Sequence, residues 1–476
     1  MRIILISKIG IQDTVNSPNN KDFNGSVYPL ELAYIRAYLE SKNHEVNHIE
    51  FNLTFFDQLK FDEFKKKLSV KIDLFNPDVI GFSITTGNHI DTYNIIEHVY
   101  KNYPKLKIII SGEHVTVMYE QIIKKYPHVI AVIGEGEITF SELLEDRPLN
   151  SIDGIAFFSE GKVIKTKNRE LIKDLDTLPF PVYTMSPKRT MATIITSRGC
   201  PFSCSFCFRN QNAKKIQRFR SANNIADEIE LVIKKNPNIK NIYFYDDAFL
   251  TNNKRVIEIC NEIIKRKLTH IKFQCNARFK PFHKELVPYL ETANFTLLLF
   301  GLESGNKTIL NTCHKSIKQQ DIIDTITTLK NSNICVATFL IVGLPGETKE
   351  TIIETAKFIQ KLQKIKYIMY YDYNPAILLS YPGTEIYETM KLSGKISDKY
   401  WLINNEIPFY TVEHSNEELI ELRKLLVKHI AFMPLSLTKI YHQKHMLISI
   451  LKYTINHYKT KPILLIKTII KGTQIP

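Results

Sequence analysis

The string TSRGCPFSCSFCFR, residues Thr196–Arg209, contains three cysteines in the spacing Cys-x3-Cys-x2-Cys. Cys200, Cys204 and Cys207 follow an apolar stretch, Met191–Thr196, that predicts a buried parallel strand. We therefore expect the cysteine loop at the carboxyl end of a sheet, where barrel-type folds have their active sites.

The cysteine spacing indicates a metal cofactor. Three thiolates on one tight loop can hold three irons of a cubane 4Fe–4S cluster and leave the fourth iron open for a ligand. Structural zinc normally takes four protein ligands, often as two Cys-x2-Cys pairs, and the sequence has no second pair. Three coincidental core cysteines are the other alternative. Phe202, Phe206 and Phe208 would keep water away from a cluster and tune its reduction potential.

Around this loop, the pattern predicts a second series of alternating strands and helices. The strand candidates are Met191–Thr196, Asn241–Tyr245, His270–Cys275, Phe295–Phe300, Cys335–Val342 and Ile368–Asn374. The helix candidates between them include Asn224–Lys235, Asn253–Lys265 and Thr348–Gln363. Six parallel strands do not close an eight-stranded barrel, so we expect a partial (β/α)6 barrel of TIM type over residues 191–395.

Residues 1–145 predict a separate α/β domain. The strand candidates are Arg2–Ser7, His44–Phe51, Val79–Thr85, Lys107–Ser111 and Val129–Ile133, with amphipathic stretches between them. Five such units predict a flavodoxin-like, doubly wound parallel sheet. Residues 146–190, with a hairpin at Gly154–Lys165 and the prolines of LPFPVY, predict a linker. Residues 396–476 predict a basic, helical C-terminal region.

The cysteine string resembles the signature of the radical S-adenosylmethionine (SAM) superfamily, and the flanking TSRGCPF and CFR sharpen the match. The resemblance implies that Cys200, Cys204 and Cys207 are the catalytic, metal-binding residues. It also implies that the open iron binds the amino and carboxylate groups of SAM, whose reductive cleavage gives a 5′-deoxyadenosyl radical. An external electron donor of flavodoxin or ferredoxin type follows from the same resemblance.

Two segments, one with a pair of aspartates and one with an arginine, resemble segments of the family in their order and spacing. FYDDAFL, Phe244–Leu250, places Asp246 and Asp247 where the family contacts the methionine amino group. Arg278, in the string CNAR, is the expected partner of the methionine carboxylate. A surface or capping role explains any one of the acidic residues equally well, so the resemblance depends on the order of the segments.

Two later segments extend the resemblance. GLESG places Glu303 and Ser304 where the family contacts ribose or the methionine moiety. FLIVGLPGET, Phe339–Thr348, matches the strand whose backbone meets the adenine, which makes Gly343 an expected contact.

Small residues end the predicted strands of the first domain, in GFSITTG (Gly81–Gly87), SGEHVT (Ser111–Thr116) and GEGE (Gly134–Glu137). Such residues let the backbone approach a large flat ligand. The absence of Gly-x-Gly-x-x-Gly after the first strand disfavours a dinucleotide fold. The residues alone leave a nucleotide, a flavin, a corrinoid or no ligand open.

These segments, together with Tyr28–Val46 and Val132–Glu145, resemble the cobalamin-binding domain that precedes many radical SAM enzymes. The resemblance implies a bound cobalamin and predicts these contacts to it: Ser83, Thr85, Gly112, His114, Gly134 and Gly136. Many cobalamin domains carry Asp-x-His-x-x-Gly, whose histidine ligates cobalt from below, yet Ser7–Asn20 contains no histidine. His114 is the nearest candidate, and a structural role for His114 is the alternative.

Composition bounds the partners and the compartment. The chain has 476 residues, of which 44% are apolar and 24% charged, so a folded protein of two or three domains is expected. No 18-residue apolar run predicts a membrane-spanning helix. Seven sparse cysteines favour a reduced, cytoplasmic protein without a disulfide framework.

The positive charge is concentrated near the end of the chain. From Leu422 onward there are ten Lys or Arg and no Asp or Glu, within a net charge of +14. Such a region is either a solvated helical face or a patch for an anionic partner. Apolar residues between Lys444 and Lys452 are consistent with a helix that lies on a membrane or lines the site. No RNA-binding module is recognisable, so no nucleic-acid partner is expected.

Three functions are compatible with this organisation. In the first, one SAM methylates reduced cobalamin and a second SAM supplies the radical, so that an unactivated carbon of a small molecule, natural product or lipid is methylated. In the second, the same radical chemistry gives cyclisation, rearrangement or oxidation without net methyl transfer. The third is a non-catalytic sensor, which would not need the GLESG and GLPGET segments.

Overall fold

The structure is a computed structural model of the chain. It describes residues 1–8, 30–51, 58–183, 185, 189–208, 216–370 and 375–430. Within these ranges two sheets, each flanked by helices, account for most of the buried apolar side chains.

The first sheet has the strand order β2-β1-β3-β4-β5-β6-β7. Its strands are β1 (Arg2–Lys8), β2 (Glu45–Phe51), β3 (Val79–Ser83), β4 (Lys107–Ser111), β5 (Val129–Val132), β6 (Ile155–Ser159) and β7 (Lys162–Lys165). Its helices are α1 (Leu30–Ser41), α2 (Gln58–Phe75), α3 (His89–Asn102), α4 (Glu113–Lys125) and α5 (Glu137–Glu142). The first five strands pair in parallel, in the doubly wound order of flavodoxin-like folds, so this part of the predicted fold class is confirmed.

The central strands are apolar on both faces because helices cover both sides of the sheet. Ile4 and Ile6 of β1 pack into one buried cluster, while Ile3 and Leu5 pack into another. All four side chains have no exposed surface. Continuous apolar runs are what a parallel strand buried on two faces requires.

The hairpin that was predicted to lie in a linker belongs to the first sheet. The strands β6 and β7 extend the first sheet beyond β5 in antiparallel pairing, with Ala131 opposite Ala156. Ile155 and Ala156 are fully buried. The apolar face of this hairpin is therefore covered by the first domain, and the first sheet continues to Lys165.

The second sheet is a partial barrel. The six parallel strands are β8 (Met191–Ile194), β11 (Asn241–Phe244), β12 (Lys272–Ala277), β13 (Phe295–Glu303), β14 (Cys335–Val342) and β15 (Ile368–Tyr370). They pair in chain order, which confirms the partial (β/α)6 barrel. Short strands add to it: β9 (Ser197–Arg198) pairs with β10 (Arg218–Phe219), and β16 (Ala376–Ile377) pairs with β14.

Helices cover the outside of the partial barrel. They are α6 (Ala222–Lys235), α7 (Asn253–Lys265), α8 (Leu286–Thr292), α9 (Lys307–Thr312), α10 (Gln319–Thr328) and α11 (Lys349–Ile365). α6 begins where the Ser221 hydroxyl accepts the Asn224 amide, and α7 begins at the equivalent cap of Asn252. The cysteine loop follows β8 and β9, at the carboxyl end of the first barrel strand.

The region after residue 375 returns to the first domain before it ends on the barrel. It contains α12 (Glu385–Leu392), a 3₁₀ helix at Asp398–Leu402 and α13 (Asn416–Ile430), whose apolar residues join the barrel core. The predicted basic tail beyond Ile430, with Lys444 and Lys452, lies outside the described residues. No helix in the described ranges combines the length and the apolar character needed to cross a bilayer.

Trp401 anchors this returning segment. Its indole is fully buried, Nε1 donates to Tyr387 Oη at 2.9 Å, and its ring centroid lies 5.4 Å from that of His89. His89 Nε2 is hydrogen-bonded to the Asn404 carbonyl at 2.8 Å. The segment after the barrel is therefore packed directly onto α3 of the first domain.

We expect Trp401→Ala to lower the free energy of unfolding by about 3–5 kcal/mol, because it leaves a large cavity where the segment meets α3. Ile403→Ala, at a side chain that is 76% exposed two residues away, should change it by less than about 0.5 kcal/mol. Urea denaturation, followed by far-UV circular dichroism because the first variant lacks the single tryptophan, measures the free energy of unfolding of both variants. Equal effects of the two variants would contradict the anchoring role.

Candidate functional site

The cysteine loop leaves the carboxyl end of the barrel sheet, directly after β9. Cys204 is buried, Cys200 is half-buried and Cys207 is exposed. The backbone of Ser205 donates to the Cys313 carbonyl at 3.1 Å, which fixes the middle of the loop to the segment after α9. The three thiols thus lie on one short loop whose middle is fixed to the barrel.

The thiols lie close enough to act on one another. Although part of the residue is exposed, neighbouring groups shield the Cys207 thiol from water and raise its pKa to about 12, and repulsion from Asp247, Cys204 and Cys200 adds to the effect. Burial also raises the pKa of Cys200. In the described part of the chain, no three His, Cys, Asp or Glu side chains converge tightly enough to hold a single metal ion. Three cysteines on one loop are one ligand short of a structural zinc site, whereas a cluster can take one thiolate on each of three irons.

Arg278 lies against the loop from β12. Its guanidinium stacks on Phe202 at 3.7 Å from the ring centroid, and Nη1 lies 3.5 Å from Cys204 Sγ. Nη2 donates to the Lys315 carbonyl, whereas the buried Nε has no partner among the described residues. A guanidinium held in this way has a donor available for a ligand carboxylate.

The two aspartates after β11 have different environments. Asp246 is buried: its Oδ1 accepts the Thr196 amide at 2.6 Å, and its Oδ2 accepts the Thr196 and Ser197 hydroxyls at 2.5 and 2.6 Å. Asp247 is exposed and has no hydrogen-bond partner among the described residues. The structure therefore gives Asp246 a role in holding the strand before the cysteine loop, and leaves Asp247 as the carboxylate available to an ammonium.

The two polar residues of the GLESG segment are both buried but have different partners. Glu303, at φ +63°, directs its carboxylate to Lys315, whose Nζ donates to Oε1 at 2.6 Å. Ser304 has no exposed surface, and its hydroxyl is bonded to Thr355 and to the Asn306 amide. Ser304 thus ties β13 to α11, in contrast to the expected ligand contact, and Lys315 is a site residue that no motif indicated.

The glycine-rich turn after β14 contains a buried acid. The Gly343 amide donates to Glu347 Oε2 at 2.6 Å, while Oε1 is buried without a partner among the described residues. Burial raises the pKa of Glu347 to about 8, against the opposing effect of the backbone donors. The carboxyl group is therefore protonated over part of the neutral range.

The first domain presents hydroxyls at its carboxyl edge. Ser83 Oγ, at the end of β3, donates to Glu31 Oε2 at 2.8 Å, and burial raises the pKa of Glu31. Thr85 is half-buried, with its amide bound to Asn88. Gly112 has φ +111°, and a side chain there would collide with the backbone of Ile84, so internal packing already requires this glycine. Glu31 belongs to the Tyr28–Val46 segment, but it was not among the predicted contacts.

His114 does not offer a free ring nitrogen. It has no exposed surface, Nδ1 is 3.1 Å from Thr86 Oγ1 and Nε2 is 3.1 Å from Tyr93 Oη. Burial and the neighbouring His89 hold its pKa well below the usual range. The structural alternative for His114 is the one that this geometry supports.

The GEGE loop joins the two domains. Glu135 pairs with Arg218 at 2.7 Å and with Arg198 at 3.2 Å, and Glu137 pairs with Arg198 at 2.5 Å. The glycines of this loop lie beside the acids: Gly134 donates to Thr116 Oγ1 at 3.1 Å, and Gly136 lies against Ile35. Since Arg198 precedes Cys200 by two residues, the carboxyl edges of both sheets face one cleft. A large ligand of the first domain would thus adjoin the cysteine loop.

Comparisons with known proteins agree with this layout. Residues 194–359 match the radical SAM superfamily, and residues 18–144 match the B12 binding domain. An uncharacterized methyltransferase of Pyrococcus horikoshii is 31% identical over 85% of this chain and 87% of that protein. The anaerobic magnesium-protoporphyrin IX monomethyl ester cyclase of Rubrivivax gelatinosus is 26% identical over 77% of this chain and 67% of the cyclase.

Two solved structures share the fold. The radical SAM methyltransferase TsrM from Kitasatospora setae aligns with a TM-score of 0.67 and 17% identity, over 83% of this chain and 77% of that one. The cobalamin-dependent SAM radical enzyme OxsB aligns with a TM-score of 0.66 and 19% identity, over 83% and 61%. At such identities the likeness concerns the fold.

The two aspartates provide a matched pair of substitutions. Asp246→Asn should lower the free energy of unfolding by about 2–3 kcal/mol and reduce the iron content, because it breaks charge-assisted bonds to Thr196 and Ser197. Asp247→Asn should leave both unchanged and weaken SAM binding roughly ten- to hundred-fold. Denaturation, iron analysis and SAM titration of the reconstituted protein separate the two effects. Equal loss of iron in both variants would contradict the distinction.

Glu347 predicts a pH dependence of stability. Its pKa in the folded chain is raised to about 8, above the ordinary value of 4.5, so the folded state retains a proton that the unfolded state releases. This contribution is present below pH 4.5 and is lost as the pH rises toward 8. Glu347→Gln removes the titration, so melting temperatures of the variant should fall less steeply from pH 5 to pH 8. Parallel profiles for wild type and variant would show that Glu347 does not titrate in this way.

Proposed function

The chain belongs to the radical SAM superfamily, in its cobalamin-binding branch, and from this premise we propose that it methylates an unactivated carbon of a small-molecule, natural-product or lipid substrate. It is a radical SAM enzyme whose cofactors are a 4Fe–4S cluster, SAM and cobalamin. When bound, these groups supply a 5′-deoxyadenosyl radical and a methyl carrier.

Different residues of the cleft hold the cluster and SAM. Cys200, Cys204 and Cys207 hold the cluster, and the rings of Phe202 and Phe206, which belong to the same loop, would shield it from water. In this proposal the charged ends of SAM are held by opposite charges: Asp247 binds the ammonium and Arg278 binds the carboxylate. Glu303 contacts the ribose or the methionine part, and the backbone at Gly343 contacts the adenine.

The first domain would hold cobalamin at its carboxyl edge, through Ser83, Thr85, Gly112, Gly134 and Gly136. Since the ring nitrogens of His114 are bonded within the protein, we propose that cobalt is held without a histidine from this part of the domain.

One observation carries the proposal of methyl transfer. The ion pairs of Arg198 with Glu135 and Glu137 set the cysteine loop against the cobalamin domain, so one cleft serves both cofactors. A substrate between them is within reach of hydrogen abstraction and of methyl delivery. The 31% identity to a protein named as a methyltransferase supports the same conclusion.

Radical chemistry without methyl transfer is the second candidate. The relative from Rubrivivax gelatinosus is named as a cyclase, and it covers 77% of this chain. In that case the same cleft would direct a substrate radical to ring closure, rearrangement or oxidation. The layout of the described residues is compatible with both outcomes, so the products must distinguish them.

The proposal includes partners and a compartment. The cluster requires one electron per cleavage, which we assign to an external flavodoxin- or ferredoxin-type donor. All seven cysteines are free thiols in the structure, in keeping with a reduced, cytoplasmic setting. If the substrate is a lipid, we further propose that the basic tail beyond Ile430 contacts the membrane.

Protein loaded with cluster and cobalamin, given dithionite and methyl-labelled SAM, should form both 5′-deoxyadenosine and S-adenosylhomocysteine. Extracted metabolites and lipids, offered as substrates, should contain a product that gains one labelled methyl group. Cys204→Ala should abolish deoxyadenosine formation, because the cluster loses one of three thiolates. Cys335→Ala, at an exposed cysteine outside the loop, serves as the matched control.

The two candidate functions predict different products. Cobalamin-dependent S-adenosylhomocysteine with a methylated product supports the methyltransferase. Deoxyadenosine with a substrate-derived product of unchanged carbon count would replace it with the cyclase-type reaction. Failure of the wild type to cleave SAM under strong reduction would revive a non-catalytic role.

A further inference from the structure

Lys315 is a buried cation beside the cysteine loop. Its residue is only 4% exposed, and Nζ donates to Glu303 Oε1 at 2.6 Å. An ammonium has three N–H donors, and the described chain offers Lys315 Nζ no acceptor other than Glu303. A buried charge is costly unless it is paired, so this carboxylate holds the ammonium in place.

The backbone around this pair is strained. Glu303 has φ +63°, and both neighbours of Lys315, His314 and Ser316, have φ +54°. Left-handed conformations at residues other than glycine cost about 1–3 kcal/mol each and persist where surrounding structure imposes them. Here all three belong to or flank one ion pair, so the chain is bent to bring Lys315 to Glu303.

Gly301 makes room for the pair. A Cβ at this position would lie 2.6 Å from Lys315 Nζ and closer still to Glu303 Oε1. No real Cβ tolerates such contacts, so any side chain would push the two charged groups away. The glycine of GLESG is therefore explained by the ion pair that packs on its α carbon.

Lys315 is also tied to the cysteine loop. Its carbonyl accepts Nη2 of Arg278, whose Nη1 faces Cys204 Sγ at 3.5 Å. Its Nζ lies 5.8 Å from the ring centroid of Phe206, the residue before Cys207. The strained turn thus connects the groups expected to contact SAM with the groups that hold the cluster.

We propose that Lys315 is a positioning residue of the SAM site: its ammonium holds the Glu303 carboxylate toward SAM, and Gly301 leaves the space that the ion pair occupies. Without Lys315, Glu303 would be a buried carboxylate with no counter-charge and would turn away from the ligand. The inference rests on the proposed contact of Glu303 with SAM and not on methyl transfer.

The test is SAM affinity of the cluster-loaded protein, read from the electron paramagnetic resonance signal of the reduced cluster during SAM titration. Lys315→Met should weaken SAM binding roughly ten- to hundred-fold, as loss of an outer partner typically does, and should alter the SAM-bound spectrum. Lys307→Met, at an exposed lysine of neighbouring α9, should do neither. Affinity of Lys315→Met equal to wild type would overturn the proposal.

Two further variants keep the proposal falsifiable if Lys315→Met does not fold. Gly301→Ala retains both charges but displaces them, so it should weaken SAM binding while iron content is kept. In a double-mutant cycle, Lys315→Met combined with Glu303→Gln should bind SAM no more weakly than Glu303→Gln alone, because Lys315 acts through Glu303. Additive losses would overturn this mechanism. A wild type that shows no SAM-dependent spectral change would instead refute the proposed function.

Discussion

Arg198 lies between two carboxylates of the other domain, and the arrangement of the cleft depends on this contact. Glu135, Glu137 and Arg218 complete a network in which every partner is largely shielded from water. At such burial, removal of a single partner leaves an uncompensated charge, which typically costs about 3–5 kcal/mol. The network therefore sets the distance between the cysteine loop and the cobalamin domain.

Several charged groups lie close to the cysteine loop and affect its thiols. Crowded thiols and Asp247 disfavour negative charge on Cys207, whereas Lys315 acts in the opposite direction. Arg278 supplies a second cation beside Cys204. A cluster bound by three thiolates needs such counter-charges, because its potential depends on net charge, hydrogen bonds to sulfur and solvent exposure.

The returning segment closes the molecule from the other side. Trp401 and Asn404 contact His89 on α3, while α13 packs on α11 of the barrel. The two domains are thus joined both at the carboxyl edges of their sheets and through the chain that follows the barrel.

The sequence by itself determined the elements and the cofactor class, because both depend on local patterns. Apolar runs such as Lys107–Ser111 and Cys335–Val342 have the bounds of the observed strands, and the cysteine spacing indicated the cluster. Only the tertiary structure decided which residue of each motif faces the cleft. Asp246 and Asp247 are adjacent in sequence, but the first is buried and the second is exposed. Lys315 reaches Glu303 through a strained turn that no spacing rule predicts. Such outcomes depend on contacts between distant segments, which periodicity and composition do not contain.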